Sequence, residues 1–399
     1  MNTQPLHPVG LKSQAVNFQA TPPLSLYIHI PWCVQKCPYC DFNSHEMRGA
    51  LPEQEYVNAL VRDLELALPL IWGRKVYSIF IGGGTPSLFS GEVLTHLLTQ
   101  VRMLLPLAHD AEITLEANPG TVEAERFAAY RDAGVNRLSL GIQSFNDTHL
   151  LALGRIHNAE EAKRAIEIAQ RHFDNVNLDL MYALPQQSLE QALQDVQIAL
   201  QFQPQHLSCY HLTLEPNTLF AHQPPPLPDD DASSEMQRQI ETLLAAHDYE
   251  HYETSAFAQP GRRSRHNLNY WQFGDYLGIG AGAHSKLSFH DRVMRQARYK
   301  QPQAYQDGVV QAAPVQDEYL LSRDDLAFEF MMNALRLNVG FDEMLFQERT
   351  SLPLLLIRNE LAEAERRGLL LREGQRIAPT ELGRRFLNDL LQIFLAPKH

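Results

Sequence analysis

Between Leu24 and Leu214 the chain alternates short apolar, β-branched runs with longer segments whose apolar residues recur every third or fourth position. The runs Leu24–Ile30, Val76–Ile81, Glu112–Ala117, Arg137–Ile142, Asn175–Met181 and His206–Leu214 predict strands. The segments Glu53–Leu68, Glu92–Leu104, Val122–Ala133, Ala159–His172 and Ser188–Gln201 predict amphipathic helices. Strand and helix therefore take turns, and parallel neighbours need just such long crossovers. The fold class is α/β. An open or partial barrel and a doubly wound sheet both fit this pattern, and periodicity does not choose between them.

The alternation stops at Pro224-Pro-Pro-Leu-Pro-Asp-Asp-Asp231, a loop that cannot continue a sheet. A helix over Ala232–His247 and shorter aromatic-rich elements follow, to about Gln301. From Asp324 the pattern turns helical. Helices are predicted over Leu326–Leu337 and Leu354–Arg367, the latter with Pro353 at its start, then a hairpin over Gly368–Ala378 and a helix over Thr380–Phe394. This reads as a winged-helix-like C-terminal module. The expected divisions are a flexible leader over 1–23, a barrel over 24–223, a barrel extension over 224–323 and the C-terminal module over 324–399.

Winged helices often bind DNA, so charge must arbitrate. Residues 324–399 hold 12 acidic and 10 basic side chains, a net of −2, and the whole chain of 399 residues carries −13. Neither is the basic footprint that a phosphate backbone requires, so no nucleic-acid partner is expected. With 44% hydrophobic and 20% charged residues the composition is that of a water-soluble protein. Residues 1–23 contain one Lys, no Arg and no long apolar core, unlike a signal or transit peptide. No run has the roughly 18 apolar residues of a membrane span. A cytoplasmic protein without stable membrane insertion is expected.

Directly after the first predicted strand come three cysteines, Cys33-Val-Gln-Lys-Cys37-Pro-Tyr-Cys40. Three thiolates from one loop can hold three corners of a [4Fe–4S] cube, which ordinarily takes four cysteine ligands. The fourth iron then stays open to a small molecule. Such a cluster suits the binding and reductive cleavage of S-adenosylmethionine (SAM), with the protein orienting the cofactor. The competing reading is a zinc site completed by His29, His45 or Asp41. Zinc motifs, however, usually pair a C-x-x-C with distant second ligands, and the only other cysteine is Cys209, alone in a strand-like run. Cys209 reads as a small buried hydrophobe. The cysteine usage suits a reducing compartment.

Chemistry in βα barrels collects at the C-terminal ends of the strands, and distinctive residues fall there repeatedly. The second strand runs into Gly82-Gly-Gly-Thr-Pro-Ser87, where glycines allow close backbone approach to a ligand. Glu116 ends the third strand, Gln143 the fourth, and Asp179 lies in the fifth. Any one of these could be a satisfied core group, since a polar side chain in an apolar strand must be paired. Together they outline a site.

The cysteine triad and the Gly-Gly-Gly-Thr-Pro86 turn resemble those of the radical SAM superfamily, a resemblance that implies a partial (β/α)6 TIM-like barrel. Tyr27-Ile-His-Ile-Pro-Trp-Cys33 and Gly-Ile-Gln-Ser-Phe145 narrow it to the oxygen-independent coproporphyrinogen oxidase group. By that resemblance Cys33, Cys37 and Cys40 carry the cluster. Tyr27, Tyr39, Gly83, Gly84, Thr85, Glu116, Gln143, Arg155 and Asp179 match SAM-contacting positions. Tyr39 would offer a face to adenine and Glu116 an acceptor to the ribose hydroxyls, although Tyr39 alone reads equally as loop packing.

Within the group, three features resemble the haem-chaperone branch. Phe42 stands where the oxidases carry a further cysteine, the segment before the first strand is short, and Arg265-His-Asn-Leu-Asn-Tyr-Trp271 matches the HNxxYW motif of that branch. The resemblance implies a protein that binds haem and passes it to acceptor haemoproteins, with a homodimer among its states. His266 is the implied axial ligand, with Tyr270 and Trp271 against the porphyrin. A lone histidine beside aromatics reads equally as structural, and His284 in Gly280-Ala-Gly-Ala-His284 is a second candidate for either role. The rival is an oxidase that decarboxylates coproporphyrinogen III on the same scaffold.

Overall fold

A computed structural model describes residues 16–121 and 124–395. Most of the predicted leader, residues 1–15, and the start of the predicted helix at Val122 lie outside the described residues. The six predicted strands form as β1 (Leu24–Ile30), β2 (Val76–Gly83), β3 (Leu107–Ala117), β4 (Arg137–Gln143), β5 (Val176–Tyr182) and β6 (His206–His211). The last is shorter than expected, because the chain leaves the sheet after His211 toward the turn at Glu215. Each of the first five is followed by a helix: α1 (Glu53–Ala67), α2 (Gly91–Leu104), α3 (Ala124–Ala133), α4 (Ala159–His172) and α5 (Leu189–Gln201). Capping boxes at Asn158 and Ser188 fix where α4 and α5 begin, satisfying backbone donors that helix starts leave free.

β1 to β6 lie side by side in sequence order, and every pairing among them is parallel. A doubly wound sheet would reverse its strand order at a switch point. Here it never reverses, so the sheet is a singly wound partial barrel, and the two readings left open by periodicity are separated.

The sheet also extends past both edges, which the apolar pattern did not predict. Beyond β6 lie β7 (Glu250–Glu253) and β8 (Ala256–Ala258). Beyond β1 lie β9 (Asp275–Ile279), β10 (His284–Ser288), β11 (Val293–Arg298) and β12 (Val315–Leu320), giving twelve strands in all. β9 is parallel to β1, and β10 to β12 are antiparallel. A buried ion pair pins this wing to α1: Arg298 reaches Asp63 at 3.0 Å, and the Tyr305 hydroxyl donates to the same carboxylate at 3.0 Å. Removing one partner of such a pair would strand a buried charge.

The main core lies between the barrel strands and the outer helices, with Ile28, Ile79, Leu115, Leu140 and Leu178 meeting Leu60, Leu97 and Ile166. A second core centres on Phe330, whose ring packs edge-on against Phe341 at 5.0 Å and Phe346 at 5.1 Å. It includes Phe273 and Val293 from the barrel wing, so the C-terminal module is welded to the barrel. That module holds a helix over Arg323–Ala334, one over Glu343–Thr350, a short 3-10 turn running into Arg358–Arg366, and a small antiparallel sheet. Two predictions need correction. The helix over Glu343–Thr350, capped by Asp342, carries too little apolar periodicity to be read from sequence. The predicted helix Thr380–Phe394 breaks at Phe386, whose φ of −111° and ψ of 44° are not helical. Among the described residues no helix is long and apolar enough to cross a membrane.

Candidate cofactor site at the mouth of the barrel

The cysteine loop leaves β1 over the C-terminal ends of the strands, and its shape is set by hydrogen bonds at its base. The Gly84 and Thr85 amides donate to the Ile30 and Trp32 carbonyls, both at 2.7 Å. That approach requires glycine: a Cβ on Gly84 would sit 2.5 Å from the Trp32 oxygen. Gly83 has φ +118° and lies against the His29 ring, where a Cβ would meet it at 2.5 Å. The far side of the loop is tied down by Asn43, whose side-chain amide donates to the Ala281 and Lys300 carbonyls at 2.9 Å, and by His29 Nε2, 2.9 Å from the Asn43 carbonyl.

The loop closes over a cavity of about 350 Å³. Cys33, Cys37 and Cys40 all line it, together with Tyr39, Gly83, Gly84, Thr85, Glu116, Gln143, Arg155 and Asp179. Eleven of the twelve residues named for cluster and SAM thus meet in one space. The twelfth, Tyr27, lies behind the wall, with its hydroxyl 2.9 Å from His29 Nδ1 and its ring against Phe80.

The donor set fits an iron–sulfur cluster. All three thiols are free and none is paired in a disulfide. Burial pushes the Cys33 and Cys40 thiols up from their ordinary range, so holding them as thiolates requires a positive partner such as a metal. Arg155 donates to Cys37 Sγ at 3.7 Å and to the Gly141 carbonyl at 2.7 Å, placing a cation beside the sulfur. Its Nε is buried without a partner. Among the described residues, no three His, Cys, Asp or Glu side chains are arranged to share a single ion.

The carboxylates sit beneath. Glu116 accepts from the Gly83 amide at 3.0 Å and is pushed up to about 8, by burial first and by the charge of Asp179 second. Asp179 accepts from Ser139 Oγ at 2.8 Å and Asn177 Nδ2 at 2.9 Å, and burial raises it too. Gln143 ends β4 with φ +68°, beyond a register shift in the β4–β5 pairing that turns its side chain into the cavity wall.

Sequence reasoning missed the polar stack below. Asn177 Oδ1 lies 2.6 Å from His206 Nδ1, and His206 Nε2 lies 2.8 Å from the Tyr252 hydroxyl. Arg137, 2% exposed, adds a cation between this stack and the two carboxylates. The signal was there: Asn177 and Asp179, and His206 and Ser208, recur at every second position, the period of an inward-facing row.

The HNxxYW residues are not at this cavity. They lie on α6 (Arg265–Trp271), below the barrel at the N-terminal ends of the strands. His266 is 1% exposed. Its Nδ1 is 3.0 Å from Ser78 Oγ and its Nε2 3.1 Å from the Tyr270 hydroxyl, so both ring nitrogens are engaged. Glu112 accepts from the Arg265 and His266 amides, capping the helix with a carboxylate. Trp271 lies under the Arg336 guanidinium at 4.3 Å. As an iron ligand His266 would have to give up a hydrogen bond and become exposed. His284, by contrast, is exposed on β10.

Comparison with known proteins places the chain firmly. It matches the radical SAM superfamily over residues 27–198 and the HemN C-terminal domain over residues 321–386. The heme chaperone HemW of Escherichia coli (strain K12) is 52% identical over 377 residues, spanning 94% of this chain and 99% of that protein. The heme chaperone HemW of Haemophilus influenzae is 49% identical over 380 residues. Among solved structures, coproporphyrinogen III oxidase (HemN) from Escherichia coli, a radical SAM enzyme, superposes with a TM-score of 0.80 at 25% identity, covering 94% of this chain and 90% of that one.

Proposed function

The chain belongs to the HemW family within the radical SAM superfamily, and from that premise we propose that it is a haem chaperone that binds haem and delivers it to acceptor haemoproteins in the cytoplasm. The observation that carries the reading is the identity of 52% with a protein named for that role, sustained over 94% of the chain. Phe42 supports it, since the oxidases of the wider group carry a further cysteine there.

In this reading Cys33, Cys37 and Cys40 hold a [4Fe–4S] cluster and the rest of the cavity holds SAM. The Gly83–Gly84 backbone and Thr85 take the methionine end, Tyr39 covers the adenine, and Glu116 accepts from the ribose. Gln143, Arg155 and Asp179 supply the remaining polar contacts, and Tyr27 orders His29 behind them. A cluster with one open iron supplies an electron for reductive cleavage of SAM. The loop's own contribution is to present its three thiols to the cavity. A homodimer belongs to the same proposal. His266, Tyr270 and Trp271 enter it as a segment that takes part in haem binding by opening or by shaping the surface above it.

The second reading, coproporphyrinogen III oxidase, is favoured by the TM-score of 0.80 with HemN. The test is anaerobic turnover. Cluster-reconstituted protein of known iron content receives SAM, a strong reductant and coproporphyrinogen III. The chaperone reading expects no protoporphyrinogen, and stoichiometric decarboxylation would overturn it.

A further inference from the structure

If the protein carries haem, as proposed above, a ligand must reach the iron, and His266 is sealed. The register of the barrel wing points elsewhere. In an antiparallel sheet, directly paired residues share a face, and so do residues two apart on one strand. Tyr276 pairs with Lys286, Lys286 with Arg295, and Arg295 with Tyr319, which puts these four on one rung of one face. His284 pairs with Ala297, and Ala297 with Asp317, forming the next rung on the same face. That face is the concave one. The Tyr276 ring receives the Tyr270 ring edge-on at 4.6 Å, and Arg295 donates to the Tyr276 hydroxyl at 2.5 Å.

The upper rung is open. His284 and Asp317 are exposed, Ala297 between them is small, and Tyr319 below is 57% exposed. Among the described residues no hydrogen bond engages the His284 ring. Partial burial of the ring lowers its proton affinity first, Arg295 and Lys300 lower it further, and Asp317 opposes them. The shelf therefore combines an unbonded imidazole, a small floor at Ala297, an exposed aromatic side chain and the nearby Lys300 cation, while Arg295, diagonal to His284 at about 7–8 Å by sheet geometry, is held by Glu329 and the Tyr276 hydroxyl. Iron porphyrin matches each feature: imidazole is a common axial ligand, the macrocycle is flat and apolar, and its propionates are anionic.

We propose that haem docks on the concave face of the barrel wing with His284 as its axial ligand, and that the HNxxYW helix acts from beneath by seating Tyr276 through Tyr270. The exposed ligand takes the iron, and the sealed histidine keeps its structural bonds. Haem so placed lies on the same side of the sheet as His29, whose ring feels the His284 charge and hydrogen-bonds Tyr27.

The test is haem titration of the cluster-reconstituted, full-length protein, followed by the Soret band and the spectrum of the ferric complex. In His284→Ala the stoichiometric Soret feature is lost, with Kd raised about tenfold or more. His284→Met retains haem with a spectrum changed to thioether ligation, a shift that loss of packing alone would not produce. His266→Ala keeps the wild-type ligand spectrum. An unchanged spectrum in His284→Ala overturns the proposal, as does loss of the ligand signature in His266→Ala alone. Failure of the wild-type protein to bind haem stoichiometrically would instead overturn the chaperone reading on which this rests.

Discussion

The two ends of the barrel are built from the same material and finished differently. Both are lined by polar side chains on apolar strands, and each such group costs free energy unless it finds a partner. At the lower end most partners are present, although Arg137 Nε is buried without one. His266 is bonded through both nitrogens, Ser78 also meets Ser25 at 2.8 Å, and Glu112 caps α6. At the upper end several are missing. Three thiols are free, Arg155 Nε is orphaned, and Glu116 is held protonated by burial. Unfinished polar groups around an open cavity mark a place where something else is meant to bind, and finished ones mark a plug. Trp271 Nε1 is the one buried side-chain atom of the HNxxYW helix without a partner.

If that contrast is right, damage to the upper end should abolish cofactor binding and leave the fold, and damage to the lower end should do the reverse. The largest effect is expected for Cys37→Ala. Iron content and cluster absorbance should vanish after reconstitution, with the circular dichroism spectrum unchanged, because two thiolates cannot hold the cube. Retention of a full cluster would show that another ligand completes the site. Next is Gly84→Ala. Its new Cβ meets backbone at 2.5 Å, not a flexible side chain, so the cysteine loop has to shift. SAM affinity, measured by calorimetry on cluster-loaded protein, should fall by about tenfold or more, at a stability cost of about 1–3 kcal/mol. Wild-type SAM binding in this variant would mean that the loop moves freely.

At the lower end, His266→Ala leaves a cavity, strands the Tyr270 hydroxyl and leaves Ser78 with Ser25 alone. The expected cost is about 2–4 kcal/mol in denaturant unfolding, with iron content preserved. A loss of cluster without a loss of stability would break the contrast, because it would put His266 in the service of the upper end.

Much of the upper end was legible in the sequence because its residues sit in local signals: the cysteine spacing, the glycine turn, and a carboxylate or amide ending each strand. The βα alternation was legible too, because it is local, but the strand order was not, since periodicity left a doubly wound sheet open. What the pattern could not carry was long-range. Arg137, His206 and Tyr252 come together from three strands, and nothing near any one of them in sequence says so. The barrel wing was missed because β9 to β12 are short and polar on one face. Their pairing is set by burial against α1 through Asp63 and Arg298, which are 235 positions apart. His266 was placed on a motif, and the motif says nothing about which end of a barrel it closes.

The smallest effect, and the finest test of the contrast, lies in pH. Glu116 titrates near 8 in the folded protein because burial and Asp179 disfavour its charge, against an ordinary value of 4.5. A raised acid contributes stability that is present in full below 4.5 and is lost as pH climbs toward 8, since the folded state holds a proton the unfolded chain has released. His266 runs the other way. Burial, helped by Arg137, lowers it from 6.5 to about 3, so its contribution is complete above 6.5 and is lost as pH falls toward 3. The two ends thus favour opposite sides of neutrality. Glu116→Gln removes the upper titration and leaves the lower one. Without SAM, its unfolding free energy should match wild type near pH 5 and exceed it by about 2 kcal/mol at pH 8, a discounted share of the full shift because Glu116 is partly open to the cavity. Parallel pH profiles for the two proteins would mean that Glu116 is already ionised, either because water reaches it or because Arg137 holds its charge. The upper end would then be as satisfied as the lower one.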